Sequence, residues 1–228
     1  MLHKILLMSK IRRAKLFKNI QELIIEHVKT NFYTYIFLIA MFTFGLVLGA
    51  FRVNGLDESQ KTELENYLNG FFHLLQTQKI DNLEIFKHSL FENLKIILLL
   101  WISGATVIGI PFIIAVICIK GFITGFCVGF IINTFGPYGI LFSSIAVFAK
   151  EIFIIPFYIS LGVNGFNFSI NMLRNKSKKS ISRNSLKARF GAYCFTSSVF
   201  TCFILIGVLI ETYVIPIFLE NFIPAEFC

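Results

Sequence analysis

The sequence predicts an all-α fold: a polytopic integral membrane bundle of five transmembrane helices with a small helical extracytoplasmic loop. Apolar residues make up 56% of the 228 residues and charged residues only 15%, and the mean hydropathy is +0.74. Soluble domains average about 45–50% apolar and about 25% charged residues. Five runs of 20 or more residues lack Asp, Glu, Lys and Arg, namely 31–51, 96–119, 121–149, 152–173 and 191–210. Because about 20 apolar residues cross a bilayer, a soluble enzyme or a secreted disulfide scaffold fits poorly.

Basic residues predict the side of the membrane on which each connecting segment lies. Residues 1–30 hold seven Lys and Arg against two acidic residues, and residues 174–190 hold seven with no acid. In residues 52–95, seven acidic residues outnumber five Lys and Arg. Basic segments beside membrane spans stay in the cytoplasm. We therefore expect a cell (plasma) membrane protein with its N-terminus and 174–190 in the cytoplasm and 52–93 outside.

Five crossings of the membrane satisfy these charge constraints. The predicted spans are 31–51, 94–110, 112–134, 138–158 and 191–213, an arrangement that leaves the C-terminus extracytoplasmic. Turn-forming residues separate the middle spans at 109–111 and at 133–139. A competing division treats 121–149 as a re-entrant hairpin, but it places the basic 174–190 segment outside. Residues 157–173, which follow the fourth crossing, are expected to lie along the inner face.

The predicted spans form a single transmembrane domain over residues 31–215, preceded by a basic arm over residues 1–30. Apolar side chains in the arm recur at three- and four-residue spacing, which predicts an amphipathic helix. A basic helix of this kind lies on anionic lipid. A partner-binding arm is the alternative interpretation.

The extracytoplasmic segment 52–93 is predicted to form two amphipathic helices. Asp57 is positioned to cap the first helix and Asp81 the second, which continues into the second span. Their apolar faces are suited to cover each other, the bilayer surface, a second copy of the chain or another protein. Phe71 and Phe72 are the candidates for a partner surface.

Three charged residues interrupt the apolar runs: Lys120, Lys150 and Glu151. A charge at the bilayer centre costs about 2.5–3.5 kcal/mol on insertion scales, so each such residue is expected to have a partner. Counted along the predicted spans at about 1.5 Å per residue, Lys120 and Glu151 lie about 12 Å and about 10 Å from the inner face. We therefore predict a Lys120–Glu151 pair between the third and fourth spans. The alternative is that all three side chains extend to the cytoplasmic headgroups.

Small residues at four-residue spacing predict a close contact between helices. The glycines at this spacing are Gly45, Gly49, Gly121, Gly125 and Gly129. The glycines of the third span are also compatible with a homodimer. Pro111 and Pro156 are expected to end or kink their helices.

The sequence contains no recognisable catalytic motif. P-loop, HExxH, GxSxG and glycine-rich dinucleotide patterns are absent, and the five cysteines and four histidines do not follow metal-ligand spacing. We therefore expect a protein that is not an enzyme and has no cofactor and no metal. The charge run 174–190 lacks interleaved aromatic residues, so nucleic acid is not its expected partner, and the lipid bilayer is the expected partner of the basic arm.

Several short motifs occur along the chain in an order typical of one family. They are Gly45-Leu-Val-Leu-Gly49-Ala, Asn93-Leu-Lys-Ile-Ile-Leu, Lys120-Gly-Phe-Ile-Thr-Gly125, Gly136-Pro-Tyr-Gly and the Lys150-Glu151 pair followed by Pro156. Together with the basic arm and the acidic ectodomain, they resemble stage II sporulation protein M and the wider family that shares its membrane domain. The resemblance covers about residues 31–215.

The resemblance implies a non-enzymatic membrane scaffold in endospore formation, located in the mother-cell or septal membrane. Such a scaffold is expected to localise and assemble two peptidoglycan-degrading partners, sporulation proteins D and P, for septal wall thinning and engulfment. The alternative function is a membrane component of a transporter with an ATPase bound at 174–190. In that alternative, Lys120, Lys150 and Glu151 line the substrate path.

Overall fold

The structure, a computed structural model, describes residues 22–77, 82–106, 108–144, 147, 149–177 and 183–222. Helix is the regular secondary structure throughout these ranges, as the predicted all-α fold class requires. The helices are α1 Phe32–Val53, α2 Glu58–Thr77, α3 Asn82–Gly104, α4 Gly109–Ser143, α5 Ala149–Ser177 and α6 Arg183–Phe222. Residues 22–30, the described part of the basic arm, are also helical.

Four of the described helices are long and apolar enough to cross a membrane. The candidate spans are Phe32–Val53, Gly109–Leu141, Glu151–Arg174 and Lys187–Tyr213. The first half of α3 instead carries charged side chains such as Glu84, Lys87 and Glu92, so its uninterrupted apolar part is limited to 96–104. Length and composition therefore support a helical membrane protein, but they do not support the prediction of five spans.

The helix bounds also correct the predicted limits of the middle spans. The predicted span 94–110 ends early, because α3 stops at Gly104 and the chain turns before Gly109. The predicted span 138–158 is divided between the end of α4 and the start of α5. Apolar composition is continuous across these breaks, so it could not locate them.

The chain reverses direction near the end of α4. Gly136 adopts a φ of +58°, a conformation that glycine reaches without steric cost, and Pro137 follows it. Gly139 then lies directly against the backbone of Ile131, so residues after Gly136 run back along the helix that precedes it. The break coincides with the turn predicted at 133–139.

The expectation that residues 157–173 lie along the inner face is wrong. They belong to α5, and the side chains of Tyr158, Leu161 and Val163 are fully buried in the bundle.

Neither of the two prolines that were expected to end or kink a helix ends one. Pro111 lies in the first turn of α4, where its missing N–H is not needed, and α5 continues past Pro156 to Ser177.

Contacts between facing helices give their relative directions. Phe42, Leu46 and Ala50 of α1 face Gly121, Gly125 and Gly129 of α4 in the same order, so α1 and α4 are parallel. Thr34 contacts Asn167 and Leu38 contacts Gly162, so α5 runs antiparallel to α1.

The remaining two helices continue this alternation. Asn93 of α3 contacts Tyr158 of α5, and Gly104 contacts Gly165, so α3 runs parallel to α5. Gly207 of α6 packs on Ile154 of α5, whereas Ser197 contacts Asn164, so α6 runs antiparallel to α5. Along the chain, α1, α3, α4, α5 and α6 therefore alternate in direction.

The apolar core lies where these five helices meet. Fully buried members include Leu38, Leu100, Ile113, Ile154, Phe200 and Ile204. Ile24 and Val28, from the helical part of the basic arm, pack against the same core. Helix α2, by contrast, makes no extensive contact with the other helices of the described ranges.

Candidate functional site

A buried ion pair joins α4 to α5. The Nζ of Lys120 lies 2.8 Å from Oε1 of Glu151, and the two side chains are only 15% and 6% exposed. The structure therefore brings together the two residues that were expected to pair. The buried hydroxyl of Thr124, one helical turn after Lys120, donates to the backbone oxygen of Lys120 and is thereby satisfied. Two charges buried in this way stabilise a fold only while each keeps its partner.

A tyrosine connects this ion pair to α3. The ammonium of Lys120 lies 5.8 Å from the centre of the Tyr158 ring, within the range of a cation–π interaction. The Tyr158 hydroxyl donates to Oδ1 of Asn93 at 2.7 Å, and both side chains are buried. A tyrosine hydroxyl and an amide are therefore paired with each other inside an apolar bundle, as buried polar groups require.

The polar contacts continue from α3 to α6. Nδ2 of Asn93 donates to the backbone oxygen of Ser89 at 2.7 Å, one helical turn away. The Ser89 hydroxyl in turn donates to Oε1 of Glu211 at 3.1 Å. Polar contacts thus run from Glu211 through Ser89, Asn93, Tyr158 and Lys120 to Glu151. We call these six residues the polar chain; it links α3, α4, α5 and α6.

The polar chain can fix the register of four helices. Except for the local contact of Asn93 with the backbone of Ser89, the links join side chains far apart in sequence, such as Ser89 with Glu211 or Lys120 with Glu151. Hydrogen bonds and ion pairs are directional, whereas apolar contacts tolerate sliding of one helix along another. Oε2 of Glu151 is buried without a hydrogen-bond partner, so among the described residues Lys120 is the cation that compensates this carboxylate. Within the residues that the structure describes, no three or more potential metal ligands lie close enough together to hold a metal ion.

The sequence singled out only part of the polar chain. Ser89, Asn93, Tyr158 and Glu211 were not predicted as site residues. Glu211 carried a usable signal, because it is an acid within the predicted last span. Asn93 was noted only as part of a family motif, and Tyr158 carried no signal, since a lone tyrosine is ordinary at many positions.

The five glycines meet in one seam between α1 and α4. A Cβ added at Gly45 or Gly49 would overlap the backbone of α4, and one added at Gly121 or Gly125 would overlap the backbone of α1. The two helices are therefore close enough for direct contact between their backbones. Because α1 of the same chain covers the glycines of α4, they no longer argue for a homodimer.

Three of the predicted site residues have side chains outside the described part of the structure. These are Phe71 and Phe72 on α2 and Lys150 at the start of α5. Their expected roles stay predictions.

Comparison with known proteins decides the family. A family model described as stage II sporulation protein M matches residues 38–216, more than three quarters of the chain. The chain belongs to this family. Searches of curated proteins and of solved structures returned no match.

Membership in the stage II sporulation protein M family identifies the chain as a sporulation-related membrane protein. Proteins of the family are generally non-catalytic. The matched region begins within α1 and ends within α6, so it contains the polar chain and the glycine seam. It leaves out the basic arm and the last residues of the chain.

Proposed function

We propose that the protein is a non-enzymatic membrane scaffold in endospore formation. In this proposal it anchors and assembles peptidoglycan-degrading partners, sporulation proteins D and P, for septal wall thinning and engulfment. Family membership supports the role in sporulation, and four helices of spanning length and composition supply the membrane anchor. The chemistry of wall degradation belongs to the partners.

The position of α2 is the observation that carries this proposal. The helix stands apart from the bundle formed by the other described helices. The side chain of Tyr67 is 77% exposed, and Leu64 and Leu68 are only partly buried. An amphipathic helix that exposes an aromatic side chain such as Tyr67 and makes no extensive contact with the rest of the described bundle is suited to bind another protein.

The polar chain favours the scaffold over the transporter alternative. Lys120 and Glu151 neutralise each other at 2.8 Å, and both are largely buried. A transport role requires intramembrane charges that meet a substrate. Charges that meet each other instead hold helices in place.

We also propose that the chain crosses the membrane five times, with the charged helix α3 as one crossing. The alternating directions of α1, α3, α4, α5 and α6 support this topology. The start of α1 and the end of α5 lie at the same end of the bundle, where Thr34 donates to Asn167 at 3.2 Å. The two basic segments, 1–30 and 174–190, adjoin this end, which the positive-inside rule assigns to the cytoplasm.

Reporter fusions test this topology. Alkaline phosphatase is active only outside the cytoplasm, so we expect an active fusion after Cys228 and an inactive fusion after Lys178. A cytoplasmic reporter, such as green fluorescent protein, should give the opposite pattern at the same two sites. An inactive phosphatase after Cys228, together with a fluorescent fusion there, would overturn the five-crossing topology.

Affinity purification from sporulating cells tests the scaffold. We expect the wild-type chain to recover sporulation proteins D and P, and Phe71→Ser/Phe72→Ser to reduce their recovery by about tenfold, because two aromatic anchors are lost. The matched control is Tyr33→Ser, which alters an exposed aromatic residue at the start of α1, the end of that helix farther along the chain from α2. The wild-type chain, the double variant and the control variant should reach the membrane in equal amounts. Equal recovery of both hydrolases by the double variant would contradict the assignment of this surface.

A further inference from the structure

A polar cavity of about 360 Å³ lies at the end of the bundle where α1 begins. It is formed by the helical residues 22–30 and the residue that follows them, by α5 and by α6. Its polar lining includes His27, Asn31, Asn164, Asn167, Arg189 and Tyr193. Its volume falls within the range of about 300–1,000 Å³ that small-molecule sites occupy.

One hydrogen-bond donor of the lining, Nδ2 of Asn167, is not used by the fold. Nδ2 of Asn164 donates hydrogen bonds to the Ser197 hydroxyl and to the backbone oxygen of Tyr193. Nδ2 of Asn31 donates to the backbone oxygen of His27. Asn167 accepts a hydrogen bond from Thr34, but its Nδ2 is buried without a partner. A buried donor left unsatisfied destabilises the folded chain, and a bound acceptor would remove this penalty.

The charge around the cavity is positive. Among the described residues that line the cavity, Arg189 is the charged one and none is Asp or Glu. Burial lowers the pKa of His27, with its contact to Asn164 acting in the opposite direction, so the ring is neutral near pH 7. Arg189 itself belongs to the 174–190 segment, whose sequence holds seven Lys and Arg and no acid. Glu22 and Glu26 belong to the same end of the chain, but neither lines the cavity.

The lining also has an apolar part. Phe168, Met172 and Ala192 contribute to the wall beside the polar groups. A ligand that satisfies both parts combines an anionic group, rich in acceptors, with an adjoining carbon backbone. Guanidinium and amide donors match phosphate oxygens in particular, because phosphate accepts several hydrogen bonds at once.

We propose that this cavity binds a glycerophosphate group, with the phosphate held by Arg189 and Asn167 and the glycerol carbons held against Met172. Two sources carry this chemistry: the headgroup of an anionic phospholipid and a soluble glycerol phosphate. The cavity lies at the bundle end where the spanning helices α1 and α4 begin, and basic pockets between transmembrane helices at a membrane surface bind anionic headgroups.

Binding measurements on the full chain in nanodiscs test the proposal and separate the two sources. One arm compares nanodiscs of pure phosphatidylcholine with nanodiscs containing one quarter phosphatidylglycerol, using native mass spectrometry to count retained lipid. The other arm adds soluble glycerol phosphate to phosphatidylcholine nanodiscs and follows the thermal unfolding midpoint. Retention of phosphatidylglycerol identifies a lipid site, and stabilisation by glycerol phosphate alone identifies a soluble ligand. Absence of both effects would overturn the proposal.

Variants locate the binding in the cavity. Arg189→Ala is expected to weaken binding about tenfold, the typical loss for one charge-assisted hydrogen bond. Asn167→Asp should weaken it similarly, since it keeps the size and the acceptor for Thr34 but replaces the unused donor with a negative charge. The matched control is Arg174→Ala, which removes an exposed positive charge at the same end without touching the lining. Equal losses in Arg189→Ala and Arg174→Ala would show general electrostatic attraction and would contradict a defined site.

Discussion

Replacing Lys120 with Met is expected to lower the free energy of unfolding by about 3–5 kcal/mol, because the substitution leaves Glu151 buried without its partner. Glu151 has one carboxylate oxygen on Lys120 and the other buried without a hydrogen bond. In the part of the chain that the structure describes, no second cation pairs with this carboxylate. Thermal or denaturant unfolding of the purified protein in detergent micelles measures the loss.

Double variants and a surface pair serve as controls for this prediction. Lys120→Met/Glu151→Met should regain most of the lost stability, because two apolar side chains of similar volume need no partner. The exchanged pair, Lys120→Glu/Glu151→Lys, should also regain part of it. Lys95→Met breaks a pair of the same 2.8 Å length, but both of its side chains are about half exposed, so a change below about 1 kcal/mol is expected. If Lys120→Met behaved like Lys95→Met, the buried pair would have no role in stability.

The second large effect is expected from adding a single methyl group to the glycine seam. A Cβ at Gly121 would overlap the carbonyl group of Phe42, and a backbone carbonyl cannot move aside as a side chain can. The variant Gly121→Ala must therefore push α1 away from α4 along their length. Overpacking of this kind costs about 1–3 kcal/mol and occasionally more, and we expect a loss at the upper end of that range. The midpoint of thermal unfolding in micelles reports the change.

Other glycines of the chain provide a graded control series. A Cβ at Gly129 would lie 3.1 Å from Cα of Ala50, so Gly129→Ala requires only a small shift and should cost less than Gly121→Ala. A Cβ at Gly191 meets nothing within 4 Å, and alanine favours helix over glycine by about 1 kcal/mol. Gly191→Ala should therefore leave the protein as stable or make it more stable. The expected order, from the most to the least stable variant, is Gly191→Ala, Gly129→Ala, Gly121→Ala. Any other order would contradict the close backbone contact between α1 and α4.

Much of the fold follows from local sequence. The apolar runs predicted membrane helices, and the bounds of α2 and the start of α3 agree with the helices expected after Asp57 and Asp81. The Lys120–Glu151 contact could be anticipated because depth along a helix increases by a fixed rise per residue. The glycine spacing likewise indicated a close helix contact, since only glycine lets two backbones approach so closely.

Other features depended on which helices become neighbours. The expectation for 157–173 was wrong because an apolar, asparagine-rich segment suits a membrane surface and a bundle interior equally well until its neighbours are known. The links through Asn93, Tyr158 and Glu211 join three helices that lie far apart in sequence. The cavity beside Arg189 is also assembled from three separate segments, so no single stretch of sequence indicated it.

The sequence by itself determined that the chain is a helical membrane protein, because hydrophobicity, charge asymmetry and helical rise act within each segment independently of the others. It also determined the family, because the order of motifs along the chain is a linear property. Only the tertiary structure decided where the helices break, which polar groups compensate each other and which glycines carry the closest contact. These depend on side chains from different helices meeting in space, and the energy of each such contact exists only after the helices have packed.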